Sequence, residues 1–277
     1  MTRAFRPSSL SEALAVLADF ELDALPVAGC TDLMVGEVEP RNVVDLLCIP
    51  ELRGIELRDG QIDIGAAVTF SQLRRDPHVQ GELPILAEAA ATIGGWQIQN
   101  RATLGGNIAN ASPAGDSLPV LLALDAELLL AGPDGERGIP FTDMHTAYRQ
   151  TALRPGELIT RVRIPRPPES CVQRFRKVGT REALAISKVV LAFAAAVSDG
   201  VLSHVRLAAG SVAPTPIRLR GAEAVLEGQA PDYALAERAA LAARAGASPI
   251  DDVRSTARYR SFVLGRVVRR IVLQGRI

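Results

Sequence analysis

The sequence predicts a mixed fold of the α+β kind, and three observations carry that reading. Helical and strand periodicities alternate through the first half of the chain. Apolar runs flanking Asp59-Gly60 and Ser198-Asp199-Gly200 read as antiparallel hairpins. The last third closes with three helical stretches after its strands, the segregated order expected of α+β architecture.

The elements follow in order. Ser9-Leu10-Ser11-Glu12 has capping-box spacing, and Leu10, Leu14 and Leu17 then share one helical face. Strands are predicted at Leu25 to Ala28 and Asn42 to Leu46, which makes the opening a small α/β unit. Ile55 to Arg58 and Gln61 to Ile64 form the first hairpin. Thr69-Phe70-Ser71-Gln72 repeats the capping-box spacing, and a short helix follows from Pro84 to Ala91. Asp116 stands where it would cap a helix running to Leu124. Glu127 to Ala131 and Glu157 to Ile164 read as strands, and Pro165-Arg166-Pro167-Pro168 as a linker. Beyond it come strands at Val189 to Val197 and Val201 to Ala208, then helices at Arg218 to Leu226, Tyr233 to Ala245 and Thr256 to Leu273.

Composition narrows the function. The chain has 277 residues, 48% hydrophobic but only 4% aromatic, so aliphatic side chains and alanine must fill its cores. Its 31 basic and 31 acidic residues cancel, which argues against a nucleic-acid binder. No apolar run approaches a membrane span, and Met1 to Pro7 lacks the apolar stretch of a signal peptide, so a cytoplasmic protein is expected. Cys30, Cys48 and Cys171 lie far apart without CxxC spacing, so neither a zinc nor an iron–sulfur site is written in this chain.

Two glycine-containing segments carry the chemistry. The first is Ala28-Gly29-Cys30-Thr31-Asp32-Leu33, where a strand enters a glycine turn. It reads either as a strand-to-helix turn or as an anion site at a helix start. The second is Thr103-Leu104-Gly105-Gly106-Asn107, continuing through Ser112 to Asp116. Its paired glycines suit either a tight turn or a nest of backbone N–H groups around phosphate oxygens. The loop has no lysine, which suits a pyrophosphate held by backbone dipoles. Neither segment is a GxGxxG fingerprint or a P-loop.

Together the two segments resemble those of the FAD-binding (medium) subunits of the molybdenum hydroxylases, the family of the carbon monoxide dehydrogenase medium subunit and the xanthine dehydrogenase flavin domain. The likeness runs from Arg6-Pro7-Ser8 through Ile64-Gly65-Ala66, Pro155-Gly156-Glu157 and Lys177-Val178-Gly179 to Tyr259-Arg260. It implies a vanillyl-alcohol oxidase-like fold of two FAD-binding subdomains, 1–54 and 55–168. A C-terminal antiparallel sheet with helices would follow over 169–277. By the same resemblance, Ala28, Gly29, Cys30, Thr31 and Asp32 form a first phosphate loop, and Thr103, Gly105, Gly106 and Asn107 a second. Asp116 would reach the adenosine of FAD, Ile93 and Ile159 would lie near the cofactor, and Lys177 would stand by the flavin. For Lys177 the residue pattern alone equally suits a solvated lysine beside Arg174 and Arg176.

Two departures from the family pattern stand out. Cys30 replaces the second glycine of the first loop, with strain of roughly 1 kcal/mol if that position needs φ > 0. Gln99 stands where many relatives have arginine. His78, His145 and His204 lie outside both loops, and Trp96 suits a core or a cofactor-side place equally. Arg258, Arg266, Arg269 and Arg270 form either a solvated face or a subunit contact.

The resemblance implies an electron-transfer subunit. FAD here would receive electrons from [2Fe–2S] clusters of a small partner subunit, after a large molybdopterin subunit has oxidised the substrate, and pass them to NAD, a quinone or oxygen. A doubled heterotrimer is the implied assembly. Two other readings stay open: an independent FAD-dependent oxidoreductase, and a cofactor-free scaffold of the same fold.

Overall fold

The computed structural model describes residues 2–35 and 41–274; residues 1, 36–40 and 275–277, which fall within the two outer expected domains, lie outside the described residues. Three sheets organise the chain. The first is parallel, in the order Ala4–Phe5, Val43–Asp45, Leu25–Val27. The helix Leu10–Ala18 packs on it through buried Ala13 and Leu17, against Val44 and Ile49. Ser9 caps that helix, accepting from the Glu12 amide at 3.2 Å. The expected box is only half formed, because the Glu12 carboxylate turns to the Ser8 amide at 2.8 Å instead of Ser9. At Thr69 and Gln72 both halves are present.

The second sheet is antiparallel throughout, in the order Ile55–Arg58, Gln61–Gly65, Leu158–Pro165, Glu127–Gly132, Gly135–Pro140. Its first hairpin turns at Asp59 and Gly60, with φ of 49° and 74°, the two positive values that a type I′ turn requires. The strand Leu158–Pro165 bulges between Ile159 and Arg161 against Glu127–Gly132, while on its other edge the Thr160 carbonyl accepts from the Ala66 amide at 3.0 Å. Short helices at Phe70–Arg75, Pro77–Glu82, Pro84–Thr92, Leu104–Asn110 and Ser117–Ala123 cover this sheet with an aliphatic core.

The third sheet is antiparallel: Cys171–Val178, Val189–Ser198, Val201–Gly210, Ile217–Arg218. Residues 189–195 of its second strand are all buried. Leu191, Phe193 and Ala195 face the helices Arg220–Leu226, Tyr233–Ala245 and Ala257–Gln274, whereas Ala192 joins the core of the second sheet. That two-sided burial explains why the strand reads as an unbroken apolar run.

Three expectations need correction. Residues 104–110, read as a glycine loop, are a helix that Thr103 caps by accepting from the Gly106 amide at 3.1 Å. Asp116 makes no side-chain cap to the helix after it, because its carboxylate is engaged elsewhere. The helix predicted from Arg218 starts at Arg220, since Ile217–Arg218 pairs with Ala208 and Ala209 as an edge strand.

Candidate functional site

A cleft of about 640 Å³ lies between the helices and loops that cover the second sheet and the region of the third sheet. Thr31, Asp32, Ile93, Asn107, Asp116 and Lys177 all line it. A narrower slot of about 100 Å³ is lined by Ala28, Thr103, Gly105, Gly106 and Ile159, with Ala66 and Leu158. Gly29 and Cys30 line neither; they link Ala28 of the slot to Thr31 of the cleft. Apart from Gly29 and Cys30, the sequence-predicted residues thus line one or other of two hollows of different polarity.

The first loop is built by close approach. A Cβ on Gly29 would lie 2.1 Å from the Arg101 carbonyl oxygen and 2.9 Å from Ala102 Cα, so only glycine lets the two segments pass. Cys30 follows at φ 59°, in the left-handed region, and its Sγ donates to the Ala28 carbonyl at 3.3 Å. The chain then turns: Met34 N–H donates to the Cys30 carbonyl at 3.0 Å and Val35 N–H to that of Asp32 at 3.1 Å. The amides of Gly29, Cys30, Thr31, Asp32 and Leu33 have no acceptor among the described residues. A run of free N–H groups around a left-handed residue is an anion-binding concavity.

The second segment is different. Leu104 N–H donates to the Val68 carbonyl, Gly105 N–H to Ala66 and Asn107 N–H to Thr103, at 2.9, 2.9 and 3.0 Å. With Gly106 N–H held by Thr103 Oγ1, the first-turn amides are all engaged. The paired glycines therefore do not form a nest. Gly105 is small because a Cβ there would lie 2.6 Å from that of Ala66, so it seats the helix against the strand end. What this segment offers the cleft is a side chain. Asn107 Oδ1 accepts from Ser117 Oγ at 2.7 Å, and its Nδ2 has no acceptor among the described residues.

Asp116 and Lys177 also sit differently from expectation. Lys177 Nζ donates to Asp116 Oδ2 at 2.6 Å and to the Thr92 carbonyl at 2.9 Å. Ser187 Oγ donates to the other oxygen of Asp116. Both charged side chains are buried, Asp116 at 6% and Lys177 at 8% exposure, so Lys177 is not the solvated lysine that the residue pattern equally suited. Burial pushes the Asp116 carboxyl up, while the Lys177 ammonium and the Ser187 hydroxyl pull it back. Each charged group is the other's ionic partner, and each oxygen of Asp116 accepts one hydrogen bond within the chain.

Several residues gain a place that sequence reasoning did not give them. Gln99 is buried; its Nε2 donates to the Ala91 and Ile93 carbonyls, and its Oε1 accepts from Arg74 Nη1 at 2.6 Å. An arginine cannot accept from Arg74, so glutamine here is a two-sided clamp. Trp96 is neither core nor cleft: it is exposed, with the Arg74 guanidinium 4.8 Å above its ring. Ser187 and Arg149 line the cleft without having been singled out, because neither lies in a recognisable motif. Arg260 is buried on the C-terminal wall, donating to the Lys188 and Ser211 carbonyls and to Asp252. No group of three or more His, Cys, Asp or Glu side chains among the described residues is placed to hold a metal ion, and no described helix is long and apolar enough to cross a membrane.

Residues 1–167 match the family model described as the FAD binding domain in molybdopterin dehydrogenase, and residues 174–274 that of the CO dehydrogenase flavoprotein C-terminal domain. The chain belongs to this family of FAD-binding subunits of molybdenum hydroxylases. It is 33% identical to the carbon monoxide dehydrogenase medium chain of Hydrogenophaga pseudoflava over 95% of its own length and 93% of that chain. With the putative xanthine dehydrogenase FAD-binding subunit of Escherichia coli it shares 38% identity over 79% of its length and 76% of the relative. The carbon monoxide dehydrogenase structure from Hydrogenophaga pseudoflava superposes with a TM-score of 0.94, at 33% identity over 99% of this chain and 96% of that one. Quinoline 2-oxidoreductase from Pseudomonas putida superposes with a TM-score of 0.91, at 29% identity over 99% and 95% of the two chains.

Proposed function

We propose that this chain is the electron outlet of a molybdenum hydroxylase, holding FAD along the cleft and slot. The free amides from Gly29 to Leu33 carry this reading, since they are a donor set of the kind a pyrophosphate needs and nothing described in the chain satisfies them. Thr31 and the Asn107 amide nitrogen add neutral donors at the same wall. The apolar slot, with Ile159, Ala66 and Leu158, suits a flat ring system better than a charged group. Bound there, FAD would supply two-electron redox capacity between one-electron iron–sulfur donors and an acceptor such as NAD, a quinone or oxygen. The chain's own work is to bind, orient and shield that group. Asp116 and Lys177, held by each other, fix the seam that frames the cleft rather than hydrogen-bonding freely to the cofactor.

The relatives include carbon monoxide dehydrogenase medium chains and xanthine dehydrogenase FAD-binding subunits. That supports partner subunits here too; that they are a small one with [2Fe–2S] clusters and a large one with molybdopterin, in a doubled heterotrimer in the cytoplasm, is part of the proposal. Purification of the native complex through a tag on this chain tests the reading. Flavin absorbance, iron and molybdenum are expected to co-elute. Full turnover of an organic substrate by this chain alone, without either metal, would overturn it.

A further inference from the structure

The side chains lining the cleft do not share their charge evenly. Four cations line it: Arg149, Lys177, Arg254 and Arg260. Lys177 is paired with Asp116, and Arg254 and Arg260 both with Asp252, at 3.6 and 2.8 Å. Arg149 has no carboxylate partner among the described residues; its one hydrogen bond is a long 3.4 Å contact from Nη1 to Asn110 Oδ1. Among the lining carboxylates, Asp32 is likewise without a cationic partner among the described residues, and it stands in the amide loop itself. A pyrophosphate bound at those amides would therefore meet the negative charge of Asp32. From outside the cleft lining Arg101 is close enough for its charge to act on Cys30, and within the lining Arg149 is the cation with no carboxylate partner among the described residues.

We infer that Arg149 is the counter-charge for the diphosphate of the bound dinucleotide, reaching over the cleft to the anion that the Gly29–Leu33 amides hold. The inference rests on the FAD-binding reading above. It is supported by the way the residue is presented. Arg149 stands between the paired strands His145–Ala147 and Gln150–Thr151, with φ 53°, so a two-strand tongue carries it to the cleft mouth. The guanidinium is exposed and weakly held, so it is free to change rotamer when an anion arrives. Its planar fork of donors suits phosphate oxygens in a way that the already committed Lys177 does not.

The test uses the full-length chain stripped of flavin and titrated with FAD or with riboflavin, which lacks the diphosphate, while flavin fluorescence is followed. Arg149→Gln is expected to weaken FAD binding about tenfold or more, the size of a lost charge-assisted hydrogen bond. Riboflavin binding should be unchanged. Raising salt should weaken FAD binding less in this variant than in the parent, and Arg149→Lys should recover part of the loss. Equal FAD affinity and equal salt dependence in parent and Arg149→Gln would overturn the role of Arg149 while leaving the FAD reading intact. A parent chain that binds no FAD would overturn both. Equal loss for FAD and riboflavin would show that Arg149 shapes the cleft and does not neutralise phosphate.

Discussion

Lys177 and Asp116 meet at 2.6 Å across the seam between the regions matched by the two family models, with both side chains out of water. Lys177 lies on the strand Cys171–Val178, and Asp116 immediately precedes the helix Ser117–Ala123. The pair ties a strand of one region to a helix start of the other, at the wall of the cleft.

Removing one partner should therefore cost more than removing both. Lys177→Met is expected to destabilise the fold by about 3–5 kcal/mol, because it strands a buried carboxylate. Lys177→Met combined with Asp116→Leu should be milder than the single change. Urea unfolding of the four species checks this, and additive losses would show that the two residues are not coupled.

The two glycines of interest should respond differently to an added methyl group. Gly29→Ala drives Cβ into the Arg101 backbone, which cannot move aside cheaply, so the amide loop must shift and flavin content should fall sharply. Gly106→Ala meets only Thr103 Oγ1, at 2.9 Å. It should cost about 1 kcal/mol through the weakened helix cap and leave most of the flavin bound. The ratio of flavin absorbance to protein in each purified variant reads the difference.

Cys30→Gly should relieve the left-handed strain and raise stability by up to about 1 kcal/mol. Flavin affinity is expected to stay level or rise. A large loss of affinity would show that the thiol shapes the loop through its contact with the Ala28 carbonyl.

Acid should weaken the fold partly through His145. Burial lowers its pKa, and the hydrogen bond to the Ile108 carbonyl only partly offsets this. The folded protein thus takes up its proton at lower pH than the unfolded chain, whose histidines titrate near 6.5. The stability from neutral His145 is full above about pH 6.5 and is lost as pH falls through the lower folded value. In His145→Gln, the dependence of melting temperature on pH over that window should flatten.

The hairpins, the capping box at Thr69 and Gln72 and the C-terminal helices were legible in the sequence because each rests on contacts a few residues apart, as at Asp59-Gly60. The family resemblance also named residues of two segments, and all of them but Gly29 and Cys30 line the cleft or the slot. What the sequence hid was the use of individual atoms. Gly105-Gly106 looks like an amide nest until Ala66, which precedes it by 39 residues, takes the Gly105 N–H. Asp116 looks free until Lys177 arrives from the third sheet and Ser187 from the loop before Val189–Ser198. Arg149 carries no local signal at all, because its meaning lies in the pairing of three other cations.

The strand Val189–Ser198 has a further consequence for how the molecule can be divided. The proline run at residues 165–168 looks like a place to cut the chain in two. Yet Ala192 and Ala208 of the third sheet are wholly buried in the core of the second. A piece ending at the prolines would expose the aliphatic surface that those alanines cover, and the remaining piece would expose the alanines themselves. A protease nick in the run should therefore leave two fragments that migrate as one particle in gel filtration and separate only in denaturant. Expressed alone, each half should aggregate: the seam is continuous in chain yet not severable in space.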